Sequence, residues 1–152
     1  AVVRTRTFGN TTEISVVAVG RDQYARNPVS GQWETLPPEY GAFDIGALFN
    51  REVGIAGLLR DGTFDLAGQE AIEQRAHYLL TTTTPGQNLA PMTSGMITEG
   101  KVEAKLWIDG ETFVVSQIQL VETETDPDEP TTWQIKLSAF DQPVDITPPI
   151  VP

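Results

Sequence analysis

Lys101-Val102-Glu103-Ala104-Lys105-Leu106-Trp107-Ile108 alternates polar and apolar residues up to Trp107, and Asp109-Gly110 follows it directly. Successive side chains of an extended strand point to opposite faces, so this alternation puts Val102, Ala104, Leu106 and Ile108 on one side. Asp-Gly favours a type I′ hairpin turn, because both central residues of that turn need positive φ. The stretch therefore predicts an antiparallel hairpin whose second strand lies within Thr112–Val121, with Ile118 and Leu120 on the apolar side.

Outward from this hairpin the pattern stays mainly β. Glu122–Glu129 is an acidic loop, Trp133–Leu137 alternates as a further strand, and Pro143–Pro152 is too rich in proline to lie inside a sheet. At the other end, β-branched residues predict strands over Arg4–Phe8 and Thr12–Val19 with a polar break at Gly9-Asn10, and Ile14, Val16 and Ala18 share one face of the second. Asp22–Arg26 and Gln32–Thr35 read as another hairpin, ended by Pro37-Pro38. Asp44–Arg60 changes to a helical period through Ile45, Leu48, Phe49, Val53, Ala56, Leu58 and Leu59, with Asp44 as N-cap and Gly62 as stop. Gly54 and Gly57 weaken it by about 1 kcal/mol each, which predicts two short helical pieces. Ala67–Thr84 fits a helix in part but a strand better, and is read as one strand. Pro85–Pro91 reads as a loop, and Met92–Gly100 as a small-residue connection with room for a helical turn. The fold class expected is α+β, mainly β, in one domain over residues 1–152.

A chain of 152 residues buries about two-thirds of its unfolded surface, enough for a core without staples. Twenty-one acidic residues against ten basic ones give a net charge of −11, and the Lys and Arg residues are scattered from Arg4 to Lys136. No basic stripe exists to displace counterions from a phosphate backbone, so nucleic acid is not an expected partner. The absence of cysteine excludes disulfides and thiolate chemistry. No apolar run approaches the roughly 20 residues that cross a bilayer, and Ala-Val-Val-Arg-Thr-Arg is not a signal peptide.

The sequence carries little that points to catalysis. His77 is the sole histidine and stands in a predicted strand, where a lone imidazole is usually structural. Ser94-Gly95 lacks the context of a nucleophile elbow, and no glycine-rich phosphate loop is present. Glu122, Glu124, Asp126, Asp128 and Glu129 carry oxygen ligands for Ca²⁺ but not the EF-hand spacing, so a solvated loop is the plainer reading. Asp109 is accounted for by its turn. No catalytic residue, metal ligand or cofactor is expected, and the chain is not read as an enzyme. What remains is apolar surface: a sheet with one greasy face and only short helices to cover it. Two readings stay open, a solid core and a cavity that admits an apolar ligand.

Several strings together resemble the LppX/LprG-type envelope lipoproteins. They are Asp22-Gln23-Tyr24-Ala25-Arg26 followed by Gly31-Gln32-Trp33-Glu34, then Ile55-Ala56-Gly57-Leu58-Leu59, Lys105-Leu106-Trp107-Ile108-Asp109, and the run from Leu137 through Phe140-Asp141-Gln142-Pro143 to Pro149. That family is similar in fold to the lipoprotein carriers LolA and LolB, so the resemblance implies a strongly curved antiparallel sheet, a half-barrel, with short helices on its concave face. It also implies extracytoplasmic binding and transport of lipid-like molecules, by a protein anchored to the outer face of the cytoplasmic membrane. The family's lipobox cysteine, first helix and opening strands have no counterpart in these residues, and a lipid anchor is expected upstream of Ala1.

On this reading the ligand lies against Ile14, Val16, Ala18, Val102, Ala104, Leu106, Ile108, Ile118 and Leu120 of the sheet and Leu48, Phe49, Ile55, Leu58 and Leu59 of the lid. The main alternative is a non-carrying envelope module that pairs through its sheet edge, with a homo-oligomer as one outcome. A hydrolase using two converging carboxylates is a third reading.

Overall fold

The computed structural model describes residues 2–7, 10–19, 22–36, 45–93, 95–124, 126, 128–143 and 145–151. Strands β1 (Val2–Thr7), β2 (Asn10–Val19), β3 (Asp22–Arg26) and β4 (Trp33–Thr35) come first, and helices α1 (Ile45–Leu48) and α2 (Ile55–Asp61) follow. Then come β5 (Asp65–Ile72), β6 (Arg75–Pro85), a 3₁₀ turn at Gly86–Asn88, β7 (Lys101–Asp109), β8 (Val115–Glu122) and β9 (Thr131–Lys136). The nine strands form one antiparallel sheet in the order β4-β3-β2-β1-β9-β8-β7-β6-β5. Two series of hairpins are thus joined at one seam, where Arg4, Thr5 and Arg6 of β1 pair with Gln134, Trp133 and Thr132 of β9. The mainly β class, the two helical pieces and the Lys101–Ile108 strand agree with the sequence reading.

Four local expectations need correction. Ala67–Thr84 is two strands, not one: β5 and β6 turn back at Glu73 and Gln74, both left-handed with φ of 50° and 68°. Neither residue is a usual turn former, which is why the turn does not register in the sequence. Asp109-Gly110 does not form a two-residue turn. Asp109 N–H instead donates to Val114 O at 2.9 Å, Phe113 N–H returns to Asp109 O at 3.0 Å, and Phe113, not Gly110, takes the positive φ of 58°. Between β1 and β2, Asn10, expected in the polar break, is already in the ladder opposite Thr7. Trp133 is not the start of its strand, since β9 begins at Thr131.

The glycines of α2 also change meaning. A Cβ on Gly57 would collide with the Glu52 carbonyl, and one on Gly54 with the carbonyls of Leu48, Ala47 and Asn50. They allow close approach of backbone to backbone, in addition to lowering helix propensity. Gly62 stops α2 as expected, its N–H bonding Leu58 O at 2.9 Å. Asp44, Pro37-Pro38 and Gly9 lie outside the described residues.

The ladder register shows which residues share a face. Leu80, Leu106, Ile118 and Ile135 stand in one row across β6 to β9, and Thr82, Ala104, Leu120 and Trp133 in the next. Trp133 pairs with Thr5, and Thr5 with Thr12, so alternation along β2 puts Ile14, Val16 and Ala18 on this same side. The core lies here. Ile55 of α2 and Leu89, Met92 and Ile97 of the β6–β7 connection pack onto Val102, Ala104, Leu106, Val115, Ile118 and Leu120. Burying a Leu or Ile completely contributes about 1.5–3 kcal/mol, so this cluster dominates the stability of the sheet.

The β6–β7 connection, expected to be a loop and a small-residue stretch with room for a helical turn, is part of that core. Thr93 Oγ1 donates to Leu89 O at 2.8 Å and accepts from Ile97 N–H at 3.2 Å, while Gly86 N–H reaches Gly100 O at 2.9 Å. These bonds satisfy backbone groups that an irregular buried segment would otherwise leave without partners. They hold Leu89 and Ile97 inward with almost no solvent exposure.

Candidate functional site

The sequence-selected residues fall into distinct settings on this face. Val102, Ala104, Leu106, Ile118, Leu120 and Ile55 belong to the buried cluster, and Leu48, Leu58, Leu59 and Ile108 pack against it partly buried. Val16 is buried, but Ile14 and Ala18 beside it are only half-buried. Phe49 is 62% exposed and stands outside the cluster. The structure adds Phe64, Leu80, Val115, Trp133, Ile135 and Leu137, together with Leu89, Met92 and Ile97. Trp133, Ile135 and Leu137 were legible as an alternating strand, but their side could be assigned only once the pairing of β8 with β9 was known. Leu89, Met92 and Ile97 follow no strand or helix period, and no local signal marks them.

The apolar face is therefore unevenly filled. Over β7 and β8 the chain's own residues cover it, whereas over β2 and β3 the burial falls to intermediate values. Polar groups on its margin are paired: Trp133 Nε1 donates to Glu122 Oε1 at 2.6 Å. Nothing about such a surface is chemically reactive, and a hydrocarbon set against it would gain from burial alone, at about 25 cal/mol per Å².

On the opposite face the ladder runs through Trp107 and Asp109. Trp107 is buried there, its indole N–H donating to Glu70 Oε2 at 2.8 Å. At the hairpin end, Asp109 pairs across the ladder with His77, and both are buried. The Thr112 N–H, then the Glu111 N–H, the Thr112 hydroxyl and the Arg75 charge hold the Asp109 carboxyl below the usual carboxylate range, against burial that pushes it up. Arg75 Nη2 lies 3.1 Å from Asp109 Oδ2 and 3.3 Å from Glu111 Oε2. Asp109 thus organises its loop through side-chain bonds to Glu111 and Thr112, in place of the type I′ turn expected of Asp-Gly. His77 Nδ1 is 2.9 Å from the Arg75 carbonyl, and Nε2 is 3.8 Å from Asp109 Oδ2.

In the acidic loop, Asp126 Oδ1 accepts from the N–H groups of Asp128 and Glu129. Among the described residues no three His, Asp or Glu side chains converge as metal ligands, and no helix is long and apolar enough to cross a membrane. Ser94 lies outside the described residues.

Comparison with solved structures finds the same fold. The chain superposes on the crystal structure of LprF from Mycobacterium bovis with a TM-score of 0.67 and 17% identity, covering 91% of this chain and 67% of that one. With the crystal structure of the lipoprotein LppX from Mycobacterium tuberculosis the TM-score is 0.61 and the identity 16%, over 96% of this chain and 88% of the other. No curated protein sequence matches. The LppX_LprAFG lipoprotein model matches residues 1–146, and by that measure the chain belongs to the LppX_LprAFG lipoprotein family.

Proposed function

We propose that this chain binds and carries lipid-like hydrophobic molecules outside the cytoplasm, in an apolar hollow between its sheet and its short helices. The observation that supports this reading most is the register. Ile14, Val16 and Ala18 in one half and Val102, Ala104, Leu106, Ile118 and Leu120 in the other lie on a single face, and α2 stands over only part of it. In this proposal the sheet is strongly curved, a half-barrel, and the ligand enters over β2, where Ile14 and Ala18 are half-buried. The lid is α1 and α2 with Leu48, Leu58 and Leu59, segments short enough to open at small cost in free energy. A lipid anchor upstream of Ala1 would hold the protein on the outer face of the cytoplasmic membrane, within the cell envelope. Binding needs no catalytic group, metal or cofactor, because the affinity comes from buried area.

Protein extracted from membranes and analysed by lipid mass spectrometry is expected to carry acylated lipid, and stripped protein to take up a fluorescent fatty acid. Protein that is free of lipid and takes up none overturns the proposal.

One observation favours a second reading. Leu89, Met92 and Ile97 occupy the face of β7 and β8 with the chain's own side chains. If the same holds across β1 to β4, leaving no cavity above about 300 Å³, the chain is instead a non-carrying envelope module. Such a module would pair through a sheet edge, with a second copy as one partner. The β5 edge is guarded against this by its bulge between Leu66 and Gly68.

A further inference from the structure

The two helices divide their apolar residues between two directions. Leu48, Ile55, Leu58 and Leu59 pack into or against the cluster on the sheet. Phe49 and Val53, in the turn between α1 and α2, are instead 62% and 43% exposed, and every residue from Phe49 to Val53 is exposed.

This turn is held by a dense set of bonds. Phe49 and Asn50 donate their N–H groups to the carbonyls of Gly46 and Ala47 at 3.0 and 3.2 Å, and Gly54 N–H donates to Asn50 O at 2.9 Å. The Asn50 side-chain oxygen accepts from the N–H groups of Glu52 and Val53 at 2.8 and 3.3 Å. Gly54 sits so close to the carbonyls of Leu48, Ala47 and Asn50 that no Cβ fits there. The backbone therefore keeps Phe49 and Val53 at the surface, against the usual gain from burying them.

Arg51 stands between these two apolar residues. Arg60 takes up both neighbouring acids, lying 3.5 Å from Glu52 and 2.8 Å from Asp61, whereas Arg51 has no partner among the described residues. The turn thus presents an unneutralised cation flanked by an aromatic and an aliphatic side chain. Residues 1–60 hold six Arg against six Asp and Glu, while residues 61–152 hold four basic and fifteen acidic residues and so carry the whole net charge of −11. The segment that bears the turn can approach a phosphate-covered surface without net repulsion of its own, and acids beyond about 8 Å are largely screened at physiological salt.

We infer that the α1–α2 turn docks on a phospholipid membrane, with Phe49 and Val53 at the boundary of headgroups and acyl chains and Arg51 on the phosphates. A guanidinium pairs with phosphate through two parallel hydrogen bonds while its stem lies along apolar surface, so an Arg between apolar residues matches that boundary. A protein partner is disfavoured by size, because five exposed residues fall well short of the roughly 800 Å² per side that a stable protein interface buries. A membrane asks less of one turn: the proposed anchor would hold the chain at about millimolar effective concentration, where a weak contact suffices. The inference rests on the lipid-carrier reading for its purpose, since one short lid then meets the apolar face on one side and the source of the ligand on the other.

The chain has no cysteine, so Val53→Cys creates a single site for an environment-sensitive fluorophore. With vesicles of phosphatidylcholine and about 30% phosphatidylglycerol, at up to about 5 mM lipid, its emission is expected to rise saturably and shift to the blue. The same label at Glu103→Cys, exposed on the opposite face of β7, is expected to stay unchanged. Phe49→Ala and Arg51→Glu, each added to Val53→Cys, should weaken the titration about tenfold, with circular dichroism reporting that both variants are folded. No change at Val53→Cys, an equal change at Glu103→Cys, or a titration unaltered by both substitutions overturns the inference. A rise with protein concentration in the absence of vesicles also overturns it, since that assigns the turn to a contact between copies. Fatty-acid uptake by the parent is measured without vesicles, so a failure of docking leaves the lipid reading standing, and a failure of uptake with docking intact removes the carrier but not the contact.

Discussion

The β5–β9 half and the β1–β4 half share one sheet and one apolar face but are stabilised differently. In the first, strict alternation along β7 is met by an irregular segment that brings Leu89, Met92 and Ile97 down onto the strands. In the second, an equally apolar β2 finds less to pack against, and the burial of Ile14 and Ala18 is intermediate. The difference teaches that the number of apolar residues in a strand does not set how well it is covered. Coverage depends on what the connections deliver: among the described residues the β6–β7 connection brings Leu89, Met92 and Ile97, and the helical segment before β5 brings Ile55, Leu58 and Leu59, to the cluster built on β7 and β8.

The largest expected effect is in the filled half. Leu106→Ala or Ile118→Ala should lower the unfolding free energy by about 3 kcal/mol, read from urea midpoints at constant slope, whereas Ile14→Ala should cost about 1 kcal/mol. Equal losses would erase the contrast. Next comes Gly57→Ala. Helix propensity alone predicts a gain of about 1 kcal/mol, but the collision with the Glu52 carbonyl predicts a loss of about 2 kcal/mol, measured the same way.

A smaller effect is pH-dependent. The folded-state pKa of Asp109 is depressed, so the stability it contributes is present above its unfolded value near 4 and is lost as pH falls through the lower folded value. Thermal scans from about pH 5 to pH 2 should therefore show a steeper fall for the parent than for Asp109→Asn. Coincident curves would mean that Asp109 does not latch its loop. The smallest change is expected for Phe49→Ala, within about 0.5 kcal/mol in stability because the ring is 62% exposed. A larger loss would show that α1 is more firmly docked than its exposure indicates.

Much of the face that carries the proposed site could be read directly. Val102, Ala104, Leu106 and Ile108 announce their side by period two, and Ile14, Val16 and Ala18 do the same on β2. That the two sets face the same way could not be read, because it depends on the β1–β9 pairing between residues far apart in sequence. Phe49 shows the opposite limit: it satisfies the helical stripe, yet α1 ends at Leu48 and the ring stays in solvent.

The sequence by itself determined the mainly β class, the β1–β2, β3–β4 and β7–β8 hairpins, the two short helical pieces, the absence of cysteine chemistry and the apolar stripes of β2 and β7. These are consequences of local geometry and of residue type, which act over a few positions. Tertiary structure alone decided the strand order, the turn at Glu73 and Gln74, the descent of Leu89 and Ile97 into the core, and the burial of His77 beside Asp109 on the opposite face. Each of these joins residues whose mutual stabilisation exists only after distant segments have come together, and no period along the chain encodes it.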